Sequence, residues 1–255
     1  MYTKLYINRI AKQLFVILLG FFPLFLLGQN QDSTQTNRKF SIGLTISPAI
    51  AYRSMYAIGE GKNNDFLVNY SIPLLDSLES PTVTYSFGLD FSYRINKHLA
   101  VVSGVYYSKK GYEIDEIFIV DYEGVGDIGS VKIYNNYIDV PLKVNFYILS
   151  KKLQLFLIAG ISGNIFINQQ DKVKITGKET ETITHTQRST NISTFNMSII
   201  GGVGIGYRVS KKITIQLQPQ YQRFLNSLYR KSYGGNQLKE VLYSYGIDAS
   251  VYYQF

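Results

Sequence analysis

The chain has 255 residues, of which 45% are hydrophobic, 15% aromatic and 17% charged, against about 25% charged in an average soluble domain. Its aromatics are 22 Tyr and 15 Phe with no Trp, and β-formers dominate most of the chain, which excludes a helical bundle or a coiled coil. Zero Cys excludes a disulfide scaffold, a thiol nucleophile, Cys-ligated zinc and a lipoprotein anchor, and His98 and His185 are too far apart in sequence to suggest a His-rich metal site.

Residues 1–28 differ in composition from everything after them. Lys4, Arg9 and Lys12 form a basic start, followed by the uncharged apolar run Leu14–Leu27. As a helix that run reaches ~21 Å, short of the ~30 Å hydrocarbon core of a bilayer. Pro23 disfavours a stable span further. With Gly28 and a polar stretch behind it, the segment reads as a cleaved secretory signal; the alternative is an uncleaved anchor helix. Cleavage removes three positive charges and takes the formal charge from +8 to +5. No basic run beyond two residues remains, so nucleic acid is not an expected partner.

The next elements alternate with period two. From Val83 to Ile95 the odd positions are apolar or aromatic, and the even ones are Thr84, Ser86, Gly88, Asp90, Ser92 and Arg94. A strand sorts such a sequence into one greasy and one polar face. Val241–Phe255 repeats the pattern, and weaker versions cover 39–52, 99–112, 136–148, 153–168, 193–209 and 213–223. That predicts eight strands, each long enough to cross a bilayer at a tilt, and eight is the smallest usual count for a transmembrane barrel.

Short and long connections alternate. Asn96–His98, 149–152 and Ser210–Lys212 are short, whereas 53–81, 113–135, 169–192 and 224–240 are long. Outer-membrane barrels have short periplasmic turns and long outer loops, and an even strand number puts both chain ends in the periplasm. A lipocalin-like barrel with its greasy face inward is the alternative. The polar faces oppose it, because Thr214, Gln216, Gln218, Gln220 and Gln222 suit a packed lumen better than a charged water-facing surface. The expected fold is therefore all-β: an eight-stranded antiparallel transmembrane β-barrel over 39–255, preceded by a signal peptide (1–28) and a short periplasmic segment (29–38).

Alternation places six charged residues in the lumen: Asp90, Arg94, Asp139, Lys143, Arg208 and Asp248. Three of each sign can neutralise one another, as a structural plug or as a gate. Counting heights from the short turns predicts Lys143 between Asp90 and Asp248. Pro141, inside a strand, predicts a bulge or a lateral opening, and Pro219 poses the same question. His185 reads as a solvated loop residue. Glu113, Asp115, Glu116, Asp121, Glu123 and Asp127 form an acidic loop that lacks EF-hand spacing. No catalytic, cofactor-binding or metal-ligating set emerges, and no cofactor is expected.

YSKKGY at 107–112, YIDVPLKVNF at 137–146 and IIGGVGIGYRV at 199–209 together resemble the PorT-like outer-membrane β-barrel family of Bacteroidetes-type bacteria. The resemblance covers about 39–255. It implies an outer-membrane location, with some relatives linked to type IX secretion, and it supplies no active site. Tyr253 and Phe255 resemble the aromatic C-terminal signal read by the barrel-assembly machinery. The expected partners are outer-membrane lipid, that machinery during insertion, and an envelope or secretion-system protein. The expected function is a non-enzymatic barrel with binding loops; the alternatives are a narrow channel and a lipid-modifying enzyme.

Overall fold

The computed structural model describes residues 39–57, 67–120, 126–176, 181–187, 191–230 and 238–255. The expected signal peptide and the 29–38 segment lie outside the described residues. The elements run as β1 (Phe40–Ala57), a single π-turn (Leu67–Ser71) leading into α1 (Ile72–Leu78), β2 (Glu79–Ser80), β3 (Thr82–Arg94), β4 (Leu99–Val120), β5 (Gly126–Ser150), β6 (Leu153–Thr176), β7 (Glu181–Gln187), β8 (Phe195–Arg208), β9 (Ile213–Phe224) and β10 (Leu238–Gln254).

Eight of these strands close on themselves. β1 pairs with β3, then the ring runs through β4, β5, β6, β8, β9 and β10 and returns to β1, with every pairing antiparallel. Closure satisfies the backbone donors and acceptors that an open sheet edge would expose. β2 and β7 stand beside the ring, on β4 and β6.

Alternation decides which face meets what. Leu89 and Phe91 point outward, 44% and 54% exposed, while Asp90 between them is 0% exposed. Exposed apolar side chains such as Leu44, Ile46, Val105, Leu142 and Val251 continue that outer belt around the ring. Aromatics border it at both ends. Phe40 packs on Tyr93 and Tyr253 on Phe255 at the end carrying the short turns. Phe87 with Tyr107, and Tyr221 with Tyr243 and Tyr245, do so at the other.

Two expectations about the connections are corrected. Most of 113–135 is strand, because β4 and β5 stay paired out to Val120↔Gly126, with a register shift between Ile114 and Ile117. Likewise 169–192 holds the end of β6 and all of β7. Beyond the belt there is no lipid on one side to select apolar residues, so strands there lose the greasy alternation that marks the barrel wall.

Pro141 produces no bulge. The β4–β5 register is the same on both sides of it, Ser103↔Leu142 and Tyr106↔Asp139, and it sits opposite Ser162 on β6. The irregularities of β5 against β6 fall at Asn136/Tyr137 and Tyr147/Leu149 instead. Pro219 likewise sits in register, opposite Ile247. A missing N–H in a closed wall removes one ladder bond, and the neighbouring bonds hold the register. Between β3 and β4 the ladder stops at Ser86↔Ser108, and β2 takes over at Ser80↔Glu113.

Candidate functional site: a layered lumen

The inward side chains form layers along the barrel axis. At the long-loop end is an apolar layer of Tyr112, Tyr137, Phe166, Phe224, Leu228, Leu242 and their neighbours, with Tyr137 edge-on to both Phe166 and Phe224. Near the short turns is a second layer of Ala100, Tyr147, Phe156 and Ile158. Phe156 packs against Gly204, where an added Cβ would come within 2.2 Å of the ring. Gly204 of β8 thus makes room for the aromatic that closes the lumen.

Polar groups fill the space between these layers. Asp139 on β5 accepts hydrogen bonds from Lys110 Nζ, from Ser108 Oγ at 2.8 Å and from Asn164 Nδ2 at 2.6 Å. Asn164 Oδ1 accepts from Ser198 Oγ at 2.8 Å, and Ser198 Oγ accepts from Gln222 Nε2 at 2.8 Å. One hydrogen-bonded chain therefore crosses β4, β5, β6, β8 and β9. Such a chain offsets the cost of burying its members because nearly every group in it is partnered. A cavity of about 70 Å³ adjoins it, lined in part by Lys110, Asp139, Lys143, Gln220 and Asp248.

The six charged residues expected in the lumen separate into four groups, with Asp90 by itself. Lys143 Nζ lies 3.5 Å from Asp248 Oδ2, and Gln220 Nε2 donates to the same carboxylate. Asp139 belongs to the Lys110 chain. Arg94 and Arg208 stand together near the short turns, away from the others; the Arg94 guanidinium lies 4.1 Å above the Tyr147 ring.

Lys143 does not reach Asp90, contrary to the expected three-membered contact. Asp90 is held by hydroxyls: Thr45 Oγ1 at 2.7 Å, Tyr252 OH at 2.8 Å and Tyr106 OH. The Tyr106 ring stands between, with Lys143 Nζ 5.8 Å from its centroid. Tyr252 spans to Asp90 over Gly43, where a Cβ would lie 2.7 Å from the ring. Barrel shear offsets the strands, so residues at equal counts from their turns are not at equal heights.

Several charged residues escaped the sequence reading. Lys110 falls on the lumen-facing side of 99–112 by simple alternation from Ala100, and that signal was available. At the long-loop mouth, Arg53 bridges two buried carboxylates, donating from Nε to Glu79 at 2.8 Å and also to Glu240, with its guanidinium 3.9 Å from the Tyr112 ring. Arg53 extends the alternation of β1 by one residue pair. Glu79 carries no such signal, because β2 is two residues long. Burial pushes the nearby Tyr229 phenol, on the connection after β9, above its ordinary range.

The remaining candidates disperse. His185 lies on β7 opposite Asp171, in a strand rather than a loop. Lys132 Nζ meets Glu113 at 3.0 Å, and Asp115 accepts from Ser80 Oγ. The side chains of Glu116, Asp121, Glu123 and Asp127 lie outside the described residues. Among the described residues no group of three or more His, Asp or Glu is placed to hold a metal. Tyr253 and Phe255 pack edge to face, and Phe255 N donates to Phe40 O at 3.0 Å.

A closed antiparallel ring with an apolar outer belt, aromatic borders and a packed polar interior defines a protein that crosses a bilayer with strands. The family described as outer membrane protein beta-barrel domain matches residues 28–230, and the chain belongs to that family. No curated protein matches it. Similar solved structures include Neisserial surface protein A, at 14% identity over 85% of this chain and 97% of that one, with a TM-score of 0.43. OprG of Pseudomonas aeruginosa is 11% identical over 86% and 96%, with a TM-score of 0.38. The Escherichia coli outer membrane protease OmpT is 8% identical over 89% and 100%, with a TM-score of 0.43.

Proposed function

We propose that this chain is a non-enzymatic, non-conducting outer-membrane barrel of the PorT-like kind, acting as a scaffold that presents a binding surface. On this reading residues 1–28 are removed on export, both chain ends face the periplasm, and the sheet built from the far ends of β4, β5, β6 and β7 faces outward. Its partners are membrane lipid, the assembly machinery that reads Tyr253 and Phe255, and an envelope or secretion-system protein. Binding work is usually carried by segments held out from a rigid frame.

The observation that carries the reading is the pair of apolar layers, one toward each end of a lumen in which Lys110 pairs with Asp139 and Lys143 with Asp248. An ion path would require water to pass both Tyr137–Phe224 and Tyr147–Phe156. Purified barrel in planar bilayers should therefore show no unitary conductance. Stable, reproducible openings would turn the assignment to a narrow channel, for which the Lys143–Asp248 layer would be the gate.

A further inference from the structure

The turn end of the barrel has a charge pattern that the scaffold reading does not use. The segments that build it, 39–44, 91–100, 144–155, 205–215 and 249–255, contain no Asp or Glu. They contain Lys97 in one turn, Lys151 and Lys152 in the second, Lys211 and Lys212 in the third, and Lys39 before β1. Inside this mouth stand Arg94 and Arg208.

These two arginines are arranged unlike the other lumen cations. Arg53, Lys110 and Lys143 each meet a carboxylate. Arg94 instead stacks on Tyr147 and donates from Nη1 to Ser150 Oγ at 3.3 Å. Arg208 sits within electrostatic reach of Arg94 and Tyr147, and its buried Nε has no hydrogen-bond partner among the described residues. The Arg208 backbone N donates to Lys152 O at 2.8 Å, so Arg94 through its guanidinium and Arg208 through its backbone flank the same Ser150–Lys152 turn.

The floor beneath them is also short of partners. Gln154 lies opposite Gly206, one pleat deeper than Arg208; it is 0% exposed, and neither of its amide atoms is hydrogen-bonded among the described residues. Asn145, 1% exposed, has an Oδ1 with no partner among the described residues and lines a small cavity at this mouth with Arg94, Tyr147 and Lys39. Two like charges within electrostatic reach of each other, neither meeting a carboxylate among the described residues, repel, and that arrangement is stabilised by an anion that bridges them.

We propose that Arg94 and Arg208 form a binding site for one phosphate group at the short-turn mouth of the barrel. Guanidinium forks match the oxygens of a phosphate and offer more than one donor each. Tyr147 holds one fork in place, and the lysines of the turns raise the local concentration of anions without touching the bound one. The phosphate is either a free inorganic ion or the headgroup of a lipid in the adjoining leaflet. Both present the same oxygens.

The test uses the full barrel folded in detergent, titrated with inorganic phosphate at constant ionic strength and followed by isothermal calorimetry. A saturable site is expected, weakened about tenfold or more in Arg94→Gln/Arg208→Gln, the scale of one lost charge-assisted hydrogen bond. Lys97→Gln/Lys211→Gln should change it by less than about threefold, because exposed charges at a distance are screened. If the double arginine variant does not fold, Arg208→Lys keeps the charge without the fork, and it should still weaken phosphate measurably. If free phosphate does not bind, the barrel is placed in phosphatidylcholine vesicles with and without phosphatidylglycerol. Thermal stabilisation by phosphatidylglycerol that disappears in the arginine variants then assigns the site to a headgroup. Binding that is indifferent to both arginines, or is lost only with the lysines, overturns the proposal, as does the absence of any arginine-dependent effect in either arm.

Discussion

Lys143 and Asp248 meet across the full width of the barrel. β5 and β10 stand four strands apart in either direction around the ring, yet the ammonium and carboxylate are 3.5 Å apart. Only a narrow barrel lets one lysine reach the opposite wall. Lys143 is buried and the Asp248 side chain is only 13% exposed, so the lysine depends on that carboxylate for most of its solvation.

Removing that lysine should therefore be expensive. Lys143→Met leaves Asp248 with the Gln220 amide alone, and the expected loss is about 3–5 kcal/mol. Pairing it with Asp248→Asn should recover part of the loss, which gives a positive coupling in a double-mutant cycle read by denaturant unfolding in detergent or lipid. Additive losses would mean the two walls are held together by something else.

The outward register makes a second expectation. Leu89→Arg puts a charge in the apolar belt and should cost about 2–4 kcal/mol near the bilayer midplane. Ser92→Arg, on the lumen-facing parity near the turn end, serves as the comparison. Unfolding in lipid vesicles checks it, and lipid-phase labelling at position 89 but not 90 gives independent evidence of the register.

Gly204 and Phe156 should behave as a unit. Gly204→Val places side-chain atoms where the Phe156 ring lies, and overpacking of this kind costs about 1–3 kcal/mol. Adding Phe156→Ala should relieve part of that cost. In planar bilayers, Tyr147→Ala/Phe156→Ala combined with Tyr137→Ala/Phe224→Ala should leak more than the wild type, because conduction requires both apolar layers to be opened.

Deleting Phe255 should slow insertion without altering the finished fold. The residue contributes one backbone bond to Phe40 and an edge contact with Tyr253. The fraction of heat-modifiable barrel at early times after synthesis measures this, and unchanged kinetics would separate Phe255 from assembly.

The barrel wall was legible because two environments wrote on alternate residues. Lipid selected Val83, Phe87 and Leu89, and the packed interior selected Thr84, Gly88 and Asp90. The same rule reached Lys110, which nonetheless went unclaimed beside Lys109 in a basic pair at the end of its strand. Where lipid ends the rule ends too, so the outer parts of β4, β5 and β6 read as loops. The partners of the buried charges were harder to read. Which residue meets Asp90 depends on the stagger between strands, and a count along one strand does not contain it. Arg53 illustrates a further limit, since its partner Glu79 comes from a segment with no periodicity.

The β4–β5 pair continues from Tyr107, at the aromatic border, to Val120↔Gly126. Thirteen further residues on β4, at about 3.3 Å each along a tilted strand, lift its tip roughly 30 Å above that border. With β6 and β7 alongside, the projection is a stiff sheet rooted in the wall itself. It works as a cantilever: a force applied at the tip is transmitted to the base as a bending moment on two adjoining staves. The lumen layers brace that base from within, so load taken far from the bilayer surface ends on the hydrogen-bonded chain around Asp139.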